Sequence, residues 1–560
     1  MKQLIECVPN FSEGRDLGII KQITDQIETV EGVKLLDVDP GKATNRTVVT
    51  FVGEPDAVVE AGYRAIKKAA ELIDMSKHSG EHPRMGATDV CPFIPISNIT
   101  MEETVVYARK LAERVGKDIG ISVFLYESAA TDPRWKNLAN IRAGEYEKME
   151  SKLLKDDFNP DFGPSVLNVS AGVTAIGARD FLIAYNVNLN TTSTRRANSV
   201  AFDVREAGRS KREGDPITGK IIRDENGDAV RVPGACKSVK GIGWFIEEYG
   251  IAQVSMNLTD IKETPFHIAF EECCKSANKR GLRVTGSELV GLMPLNVILD
   301  AGKYFLKKQN RSTGISEDQI IKIAVKTMGL DELTPFDPQK KIIEYLLAAD
   351  QNTPLLDMTL PGFANETASE SPAPGGGSIS AYVGSLGISL GTMVANLSSH
   401  KRGWDNRWEE FSDYADQGQV IKDKLLAMVD EDTNAFNEIM NAFRLPKGNE
   451  NEKTARKNAI QNATKYAVEV PLKVMETALE SMSIIQKMAE IGNPNSVTDA
   501  GVGALCARTA VYGAFLNVKI NLGGLEDLDY VEAAKNKAQD LLNKANDTEI
   551  EIMKIVEGKI

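Results

Sequence analysis

The hydrophobic positions in the first third of the chain keep two alternating rhythms. Segments 4–11 (LIECVPNF), 33–39 (VKLLDVD), 46–53 (RTVVTFVG) and 90–96 (VCPFIPI) carry the short apolar runs and alternation of strands. Segments 14–30 and 55–73 instead repeat apolar residues every three to four positions, as a helix with one buried face does. In chain order these elements read β-α-β-β-α-β, the split ferredoxin-like pattern, an antiparallel-rich sheet with helices on one face. A further helix (101–118) and strand (121–127) precede a proline-rich joint at 158–165. The order then restarts: strand 181–189, a helix around 192–206, paired strands within 243–258, a helix at 265–281, a strand within 283–294 and a helix at 295–308. No residue-level repeat links the two copies.

Beyond Thr353 the strand rhythm stops, and long helices are expected over 376–399, 404–443, 451–491, 496–521 and 528–558. The expected architecture is multidomain: two α+β ferredoxin-like subdomains (1–180 and 181–330), a linker (331–355) and an all-α helical bundle (356–560). Pro335, Pro338 and Pro354 should make the linker a semi-rigid spacer. Two stretches stand apart. Residues 210–234 are charged and turn-rich around Asn226-Gly227, and read as an exposed hairpin insertion outside the chemistry. Ser371 to Ser399 contains no charged residue and superficially resembles a membrane span. Its many glycines and serines favour a buried helix packed through small residues, so no membrane partner is expected.

Charge and cysteine usage narrow the function. With 66 Lys+Arg against 79 Asp+Glu the net charge is −13, which argues against a nucleic-acid partner. An acidic substrate would need basic residues gathered locally, as at Arg195–Arg196, Lys401–Arg402 and Lys453/Arg456/Lys457. Six scattered cysteines without a C-x-x-C pair suit free thiols in a reducing compartment and speak against structural zinc. Glu6 and Pro9 interrupt what would be a signal core, and a cytoplasmic location is expected.

The chain has only four histidines, and His78 and His82 lie four apart in KHSGEHPRMGATDVCPF. That is zinc-helix spacing, but Pro83 disfavours helix at His82, so a glycine-containing loop presents the imidazoles instead. His82 is the foremost candidate for proton transfer; the competing reading is that it only fastens its loop. His78 reads as a surface histidine, His267 as a core histidine and His400 as a helix cap. In VPNFSEGRD, Ser12 and Glu13 resemble capping residues ahead of a helix whose free amides suit a carboxylate. Residues 163–181 hold three glycines before a strand, which suits a flat ligand against backbone. On MVDEDTNAFNEIM, Asp430, Glu431 and Asp432 are either a solvated face or include a buried acid of raised pKa.

Several long stretches go further than spacing. LIECVPNFSEGRD, SGEHPRMGATDVCPFIP, IRAGEYE, GARDFLIAYNVNL and KGIGWFIEEYGIAQVSMNL resemble glutamate formimidoyltransferase. SPAPGGGS, AMVDEDTNAF followed by RLPK, and NVKINL resemble formimidoyltetrahydrofolate cyclodeaminase. Together they resemble the bifunctional formimidoyltransferase-cyclodeaminase family of histidine degradation over nearly the whole length. The insertion near 211–233 looks longer than is usual there.

The resemblance implies transfer of the formimino group from N-formimino-L-glutamate to tetrahydrofolate, then cyclodeamination to 5,10-methenyltetrahydrofolate and ammonia. It implies His82 as the transferase's catalytic residue and Asp432 as the cyclodeaminase's. Its folate-binding stretch falls on Gly163, Pro164, Ser165, Val166, Leu167, Asn168, Val169, Ser170, Ala171 and Gly172. Tetrahydrofolate, in polyglutamate form, is the implied co-substrate, with no metal or redox cofactor and a homo-oligomer built from dimers. The alternatives are a folate-binding or assembly protein that retains only one activity, and formyl transfer, which would leave the helical half nothing to deaminate.

Overall fold

The computed structural model describes residues 3–42, 44–80, 82–215, 218–348 and 353–560. They form two compact units, one of residues 1–301 with 325–348, the other of 302–324 with 349–560.

The first unit opens with a seven-stranded sheet. Pro9 splits the expected first strand into β1 (Leu4–Cys7) and β2 (Asn10–Phe11). They are followed by α1 (Leu17–Glu28), β3 (Val33–Gly41), β4 (Arg46–Gly53), α2 (Pro55–Leu72), β5 (Thr88–Ser97), α3 (Met101–Asp118) and β6 (Ser122–Glu127). After α4 (Leu138–Arg142) and α5 (Glu145–Leu153) comes β7 (Val173–Ala178), a strand the sequence reading missed. β1 and β2 lie between β4 and β5 and pair antiparallel with both, β3 forms a hairpin with β4, and β7 joins β5 and β6 in parallel.

Alternation decides the layers. Val123 and Leu125 point into the core with Ile5, Cys7, Phe51 and Phe93 under α1, α2 and α3. Phe124 and Tyr126 point the other way, onto Trp135, Ile141 and Met149. Helices therefore cover part of the second face too, contrary to the expected one-faced sheet. The physical reason is the apolar side of α4 and α5, which only Phe124, Tyr126 and their neighbours can bury.

A four-stranded sheet follows, built from β8 (Ile183–Leu189), the short pair β9 (Arg209–Ser210) and β10 (Arg231–Val232) standing outside it, β11 (Val239–Ile246), β12 (Ile251–Leu258) and β13 (Val284–Val290). Its order is β11-β12-β8-β13, all antiparallel. Helices α6 (Thr194–Val204) and α7 (Phe266–Asn278) cover one face. The other face carries a buried polar net: Gln253 Nε2 donates to Asn188 Oδ1 at 2.8 Å, and Asn188 Nδ2 to Glu332 Oε2 at 2.6 Å.

Helices α8 (Leu295–Lys308) and α9 (Glu317–Met328) carry the chain from one unit into the other and back. Residues 302–324 pack with the helical half, where Lys303 Nζ meets Asp416 Oδ1 at 3.0 Å and Thr313 N donates to Ser412 Oγ at 2.9 Å. The boundary expected at 330 differs from this division. Likewise α10 (Pro338–Lys341) and α11 (Ile343–Ala348), inside the expected linker, belong to the first unit and bury Ile342 and Ile343.

The second unit continues with α12 (Leu360–Thr367), α13 (Gly376–Ser399), α14 (Trp408–Arg444), α15 (Glu450–Ile491), α16 (Val497–Leu522) and α17 (Leu528–Glu557). α13 is long and apolar enough to cross a membrane, yet most of that stretch is buried among the other helices. It gets there through its small residues. A Cβ on Gly387 would stand 2.8 Å from Gly503 O and 3.0 Å from Ala507 N. We therefore expect Gly387→Val to destabilise the helical unit by the ~1–3 kcal/mol typical of overpacking. Thermal melts of the full chain should show a lowered transition, with cyclodeaminase lost before transferase on heating.

Candidate active sites

The loop after α2 carries His78 and His82 over the ends of β2, β4 and β5. A 3-10 turn at Met75–Lys77, capped by Asp74, leads into it. Gly80 is required, because a Cβ there would run into the backbone carbonyl of Thr44. Asn45, in the left-handed region (φ 48°), ties three loops together. Its Oδ1 accepts from Gly14 N at 3.0 Å and its Nδ2 donates to Ser79 O at 2.9 Å. Its carbonyl takes a hydrogen bond from His78 Nε2 at 2.9 Å. His78 Nδ1 accepts from Arg84 Nε at 3.2 Å, so both ring nitrogens are occupied and His78 is an anchor. Arg84 continues to Glu147 at 2.6 Å and Glu145 at 2.8 Å on α5.

His82 has different company. Its Nδ1 lies 2.7 Å from Pro83 O, and Arg46 Nη1 lies 2.6 Å from Nδ1 and 3.1 Å from Nε2. The Pro83 carbonyl can only accept and the guanidinium can only donate, so the two neighbours of Nδ1 make opposite demands on that nitrogen, and a neutral ring offers Arg46 one lone pair. Arg46 is largely withdrawn from solvent and also donates to Asn10 Oδ1 at 2.9 Å and to Asp89 Oδ2 at 3.1 Å. Arg142 reaches the same Asp89 oxygen at 2.7 Å. Asp89 is fully buried and balances only one of the two cations. Burial first, then Arg46 and Arg142, push the His82 imidazole down to about 3, so the ring is neutral at physiological pH.

Arg46, Asp89, Arg142 and Asn10 escaped the sequence reading, since they come from four separate segments with no common spacing. Glu6 escaped too, although it stands between the inward Ile5 and Cys7 and must face the opposite side of the sheet. Burial pushes its carboxyl up to about 7, with Arg179 working against the shift. Ser12 does not cap a helix: α1 is capped by Asp16, and Ser12 Oγ donates to Gly86 O at 2.7 Å. The burial of β2 against β5 leaves Ser12 pointing at that strand.

Residues 163–172 run from the start of β6, where Ser122 Oγ donates to Pro164 O at 2.6 Å, to the histidine loop. Gly163 and Gly172 have φ of 83° and 70°, and Asn168 closes a turn by accepting Gly172 N at 2.7 Å. The end of the run joins the histidine loop: Met75 N donates to Ser170 O and Ala87 N to Ala171 O, each at 2.8 Å. Val166 and Val169 stand outward, 71% and 61% exposed. An apolar surface left open in this way suits a flat ring.

In the helical unit the three acids of α14 separate by partner. Asp430 is buried and accepts Leu355 N at 3.1 Å and Leu356 N at 3.3 Å, a structural role. Glu431 accepts the Tyr466 hydroxyl at 3.1 Å. Asp432 faces the N-terminus of α13, where Ser378 donates to Oδ2 from its backbone at 2.9 Å and from its hydroxyl at 3.2 Å. Gly375 at the N-cap offers no side chain, so Asp432 supplies the missing acceptor from another helix. Oδ1 has no partner among the described residues and lies over Gly377, where a Cβ would run into it. Burial raises the Asp432 carboxyl, the Ser378 hydrogen bonds opposing. A cavity of about 450 Å³, lined by Asn396, His400 and Lys422, lies at the other end of α13. His400 is the C-cap there, and His267 is buried, as their positions in the sequence suggested. Of the basic groups, Lys453 and Lys457 are paired with Glu450 and Glu526.

Comparison with known families covers both units. The formiminotransferase domain, N-terminal subdomain, matches residues 4–179, the formiminotransferase domain 184–348, and the formiminotransferase-cyclodeaminase family 359–540. Formimidoyltransferase-cyclodeaminase of Dictyostelium discoideum is 43% identical over 561 residues, covering 100% of both chains. The Mus musculus protein of that name is 42% identical over 97% of each chain. Glutamate formimidoyltransferase of Streptococcus pyogenes serotype M1 is 40% identical over 55% of this chain and 95% of its own. With His82 and Asp432 each set in a built environment and this similarity running from end to end, the chain belongs to the formimidoyltransferase-cyclodeaminase family.

Proposed function

We propose that the chain performs both reactions of its family's name: transfer of the formimino group from N-formimino-L-glutamate to tetrahydrofolate, then cyclodeamination of 5-formimidoyltetrahydrofolate to 5,10-methenyltetrahydrofolate and ammonia. The observation that carries this reading is the pair of unlike proton carriers, one per unit. His82 is a neutral imidazole beside surplus positive charge, and Asp432 is a carboxyl with raised proton affinity and one open oxygen.

In the transferase half, folate N5 attacks the formimino carbon and loses a proton as the glutamate nitrogen gains one and leaves. Neutral His82 takes the first proton and delivers the second. The uncompensated cation of the Arg46–Asp89–Arg142 group suits a carboxylate of formiminoglutamate, and a bound anion would raise the imidazole's proton affinity when transfer begins. The run 163–172 would hold the folate ring beside that group. Met75, Ala87 and the exposed valines support this placement.

In the cyclodeaminase half, N10 attacks the same carbon and the amine leaves as ammonia. It needs a proton, and Asp432 Oδ1 is the oxygen free to carry one. Ser378 fixes the carboxyl through Oδ2, and the amides opening α13 stabilise it when it is left charged.

Four finer assignments complete the reading. The strand orders β5-β1-β4-β3 and β13-β8-β12-β11 support treating both sheets as elaborated ferredoxin-like β-α-β-β-α-β units. Tetrahydrofolate in polyglutamate form is the co-substrate, and Lys401 and Arg402, without carboxylate partners among the described residues, suit its tail. A dimeric helical half is supported by outward apolar positions at helical spacing, Leu386, Met393 and Leu397 on α13 and Leu505, Leu516 and Ile520 on α16. Six free cysteines support a reducing, cytoplasmic setting.

His82→Ala should remove transferase turnover while leaving cyclodeamination of supplied 5-formimidoyltetrahydrofolate intact. Coupled assays of glutamate release and methenyl absorbance check this, and a transferase rate within a few-fold of the parent would refute the assignment. Asp432→Asn keeps the Ser378 hydrogen bonds but cannot deliver a proton. It should slow ring closure by the ~10²–10⁴-fold of general acid–base catalysis, so that formimidoyltetrahydrofolate accumulates. Gly377→Ala should imitate that defect by at least tenfold without touching the transferase, because its Cβ displaces Oδ1.

A further inference from the structure

On α6, residues Arg195, Asn198, Ser199, Phe202 and Arg205 recur at helical spacing and form one stripe. The inserted hairpin folds back against that stripe and brings Arg209, Arg212 and Arg231 to it, enclosing a cavity of about 220 Å³ with Ser210. Five arginines line this space, and no carboxylate does. Arg209 is committed, being paired with Asp203, which Arg280 also contacts at 2.5 Å. Arg195, Arg205, Arg212 and Arg231 have no acidic partner among the described residues.

Two of these four are held rather than neutralised. Arg205 donates to Gly208 O at 3.1 Å and Gly241 O at 3.2 Å, and Arg212 to Gly219 O at 2.7 Å. Backbone carbonyls thus aim two guanidiniums while leaving their charge unspent. In a chain of net charge −13, concentrating cations this way against their mutual repulsion calls for a ligand. Burial and the nearby Arg231 hold the Arg205 guanidinium below its ordinary range.

The location separates this site from the folate chemistry. α6 lies on the helical face of the second sheet, where Asn198 exchanges hydrogen bonds of 3.1 Å with Gly243. The Gln253–Asn188 net occupies the opposite face, and His82 sits on the other sheet.

We propose that this cavity binds a compact oligophosphate, a di- or triphosphate group either free or carried on a nucleotide. Four unpaired guanidiniums in so small a volume match several negative charges on adjacent groups. Phosphates supply them, each carrying about −1.5 to −2, and their geometry suits bidentate arginine. A run of single carboxylates would spread the same charge over a longer span. Phe202 in the wall, with the Arg205 guanidinium 4.0 Å from its ring centroid, gives a surface on which a base can stack.

Isothermal titration of the full chain with tripolyphosphate, pyrophosphate, ATP and orthophosphate tests the proposal. Tripolyphosphate should bind once per chain, at least tenfold tighter than orthophosphate, and more weakly as salt is raised. The double substitution Arg195→Gln with Arg231→Gln, both at exposed positions, should weaken it at least tenfold while transferase activity with monoglutamate folate is unchanged. Arg231→Glu alone should abolish it. ATP binding more tightly than tripolyphosphate would assign the site to a nucleotide, and equal affinity to the phosphate chain alone; either supports the proposal. It is overturned if no saturable binding occurs at millimolar ligand, if these substitutions leave affinity unchanged, or if folate pentaglutamate displaces tripolyphosphate, which would make this a tail-binding site.

Discussion

The guanidinium of Arg46 is where the transferase half is held together. It leaves the start of β4 and meets Asn10 on β2, Asp89 on β5 and the ring of His82 on the loop between them. Burial lowers it to about 10, so it remains a cation at neutral pH. A buried cation must be surrounded by acceptors, and satisfying it fixes the relative positions of three strands and one loop. Asn45, next in the chain, does the same with neutral hydrogen bonds for the loops at Gly14 and Ser79. Fold and site are thus one construction here, because the groups that tie these strands together also contact the imidazole.

In the proposed reading the two units reach proton transfer by opposite electrostatics. Around His82, cations and burial both disfavour the charged ring, so the imidazole waits neutral until an anion arrives. Around Asp432, burial disfavours the charged carboxylate while Ser378 and the opening of α13 favour it. The result is an acid that keeps its proton more readily than a surface aspartate yet is stabilised once it has given it up. Under that reading each unit supplies the charge state that its half of the chemistry needs.

Much of the scaffold is legible in the sequence, because burial of one face imposes a period. The long helices fall within a few residues of their expected ends, and the Gly80-to-Pro83 loop is readable from backbone preferences. β7 was hidden because Val173 to Ala178 follows a glycine-rich run and is buried on both faces, so it shows no alternation. The surroundings of His82 were illegible for another reason. Asn10, Arg46, Asp89 and Arg142 are ordinary polar residues until folding makes them neighbours. Among Asp430, Glu431 and Asp432, spacing could not choose, and the outcome reverses a simple burial rule: the most buried, Asp430, is spent on backbone amides. The 210–234 insertion, read as outside the chemistry, brings Arg212 and Arg231, with Arg209 just before it, to the helix that carries Arg195.

The central claim is that Arg46 and Arg142 keep His82 neutral until an anionic substrate offsets them. Its most direct test is an imidazole nitrogen and carbon NMR titration of the full chain, with His82 identified by its loss in His82→Ala. The account predicts a neutral ring with no protonation down to pH 5. It also predicts an upward-shifted titration in Arg142→Gln or with formiminoglutamate bound. A midpoint near 6.5 in the free chain, unmoved by either change, would contradict it.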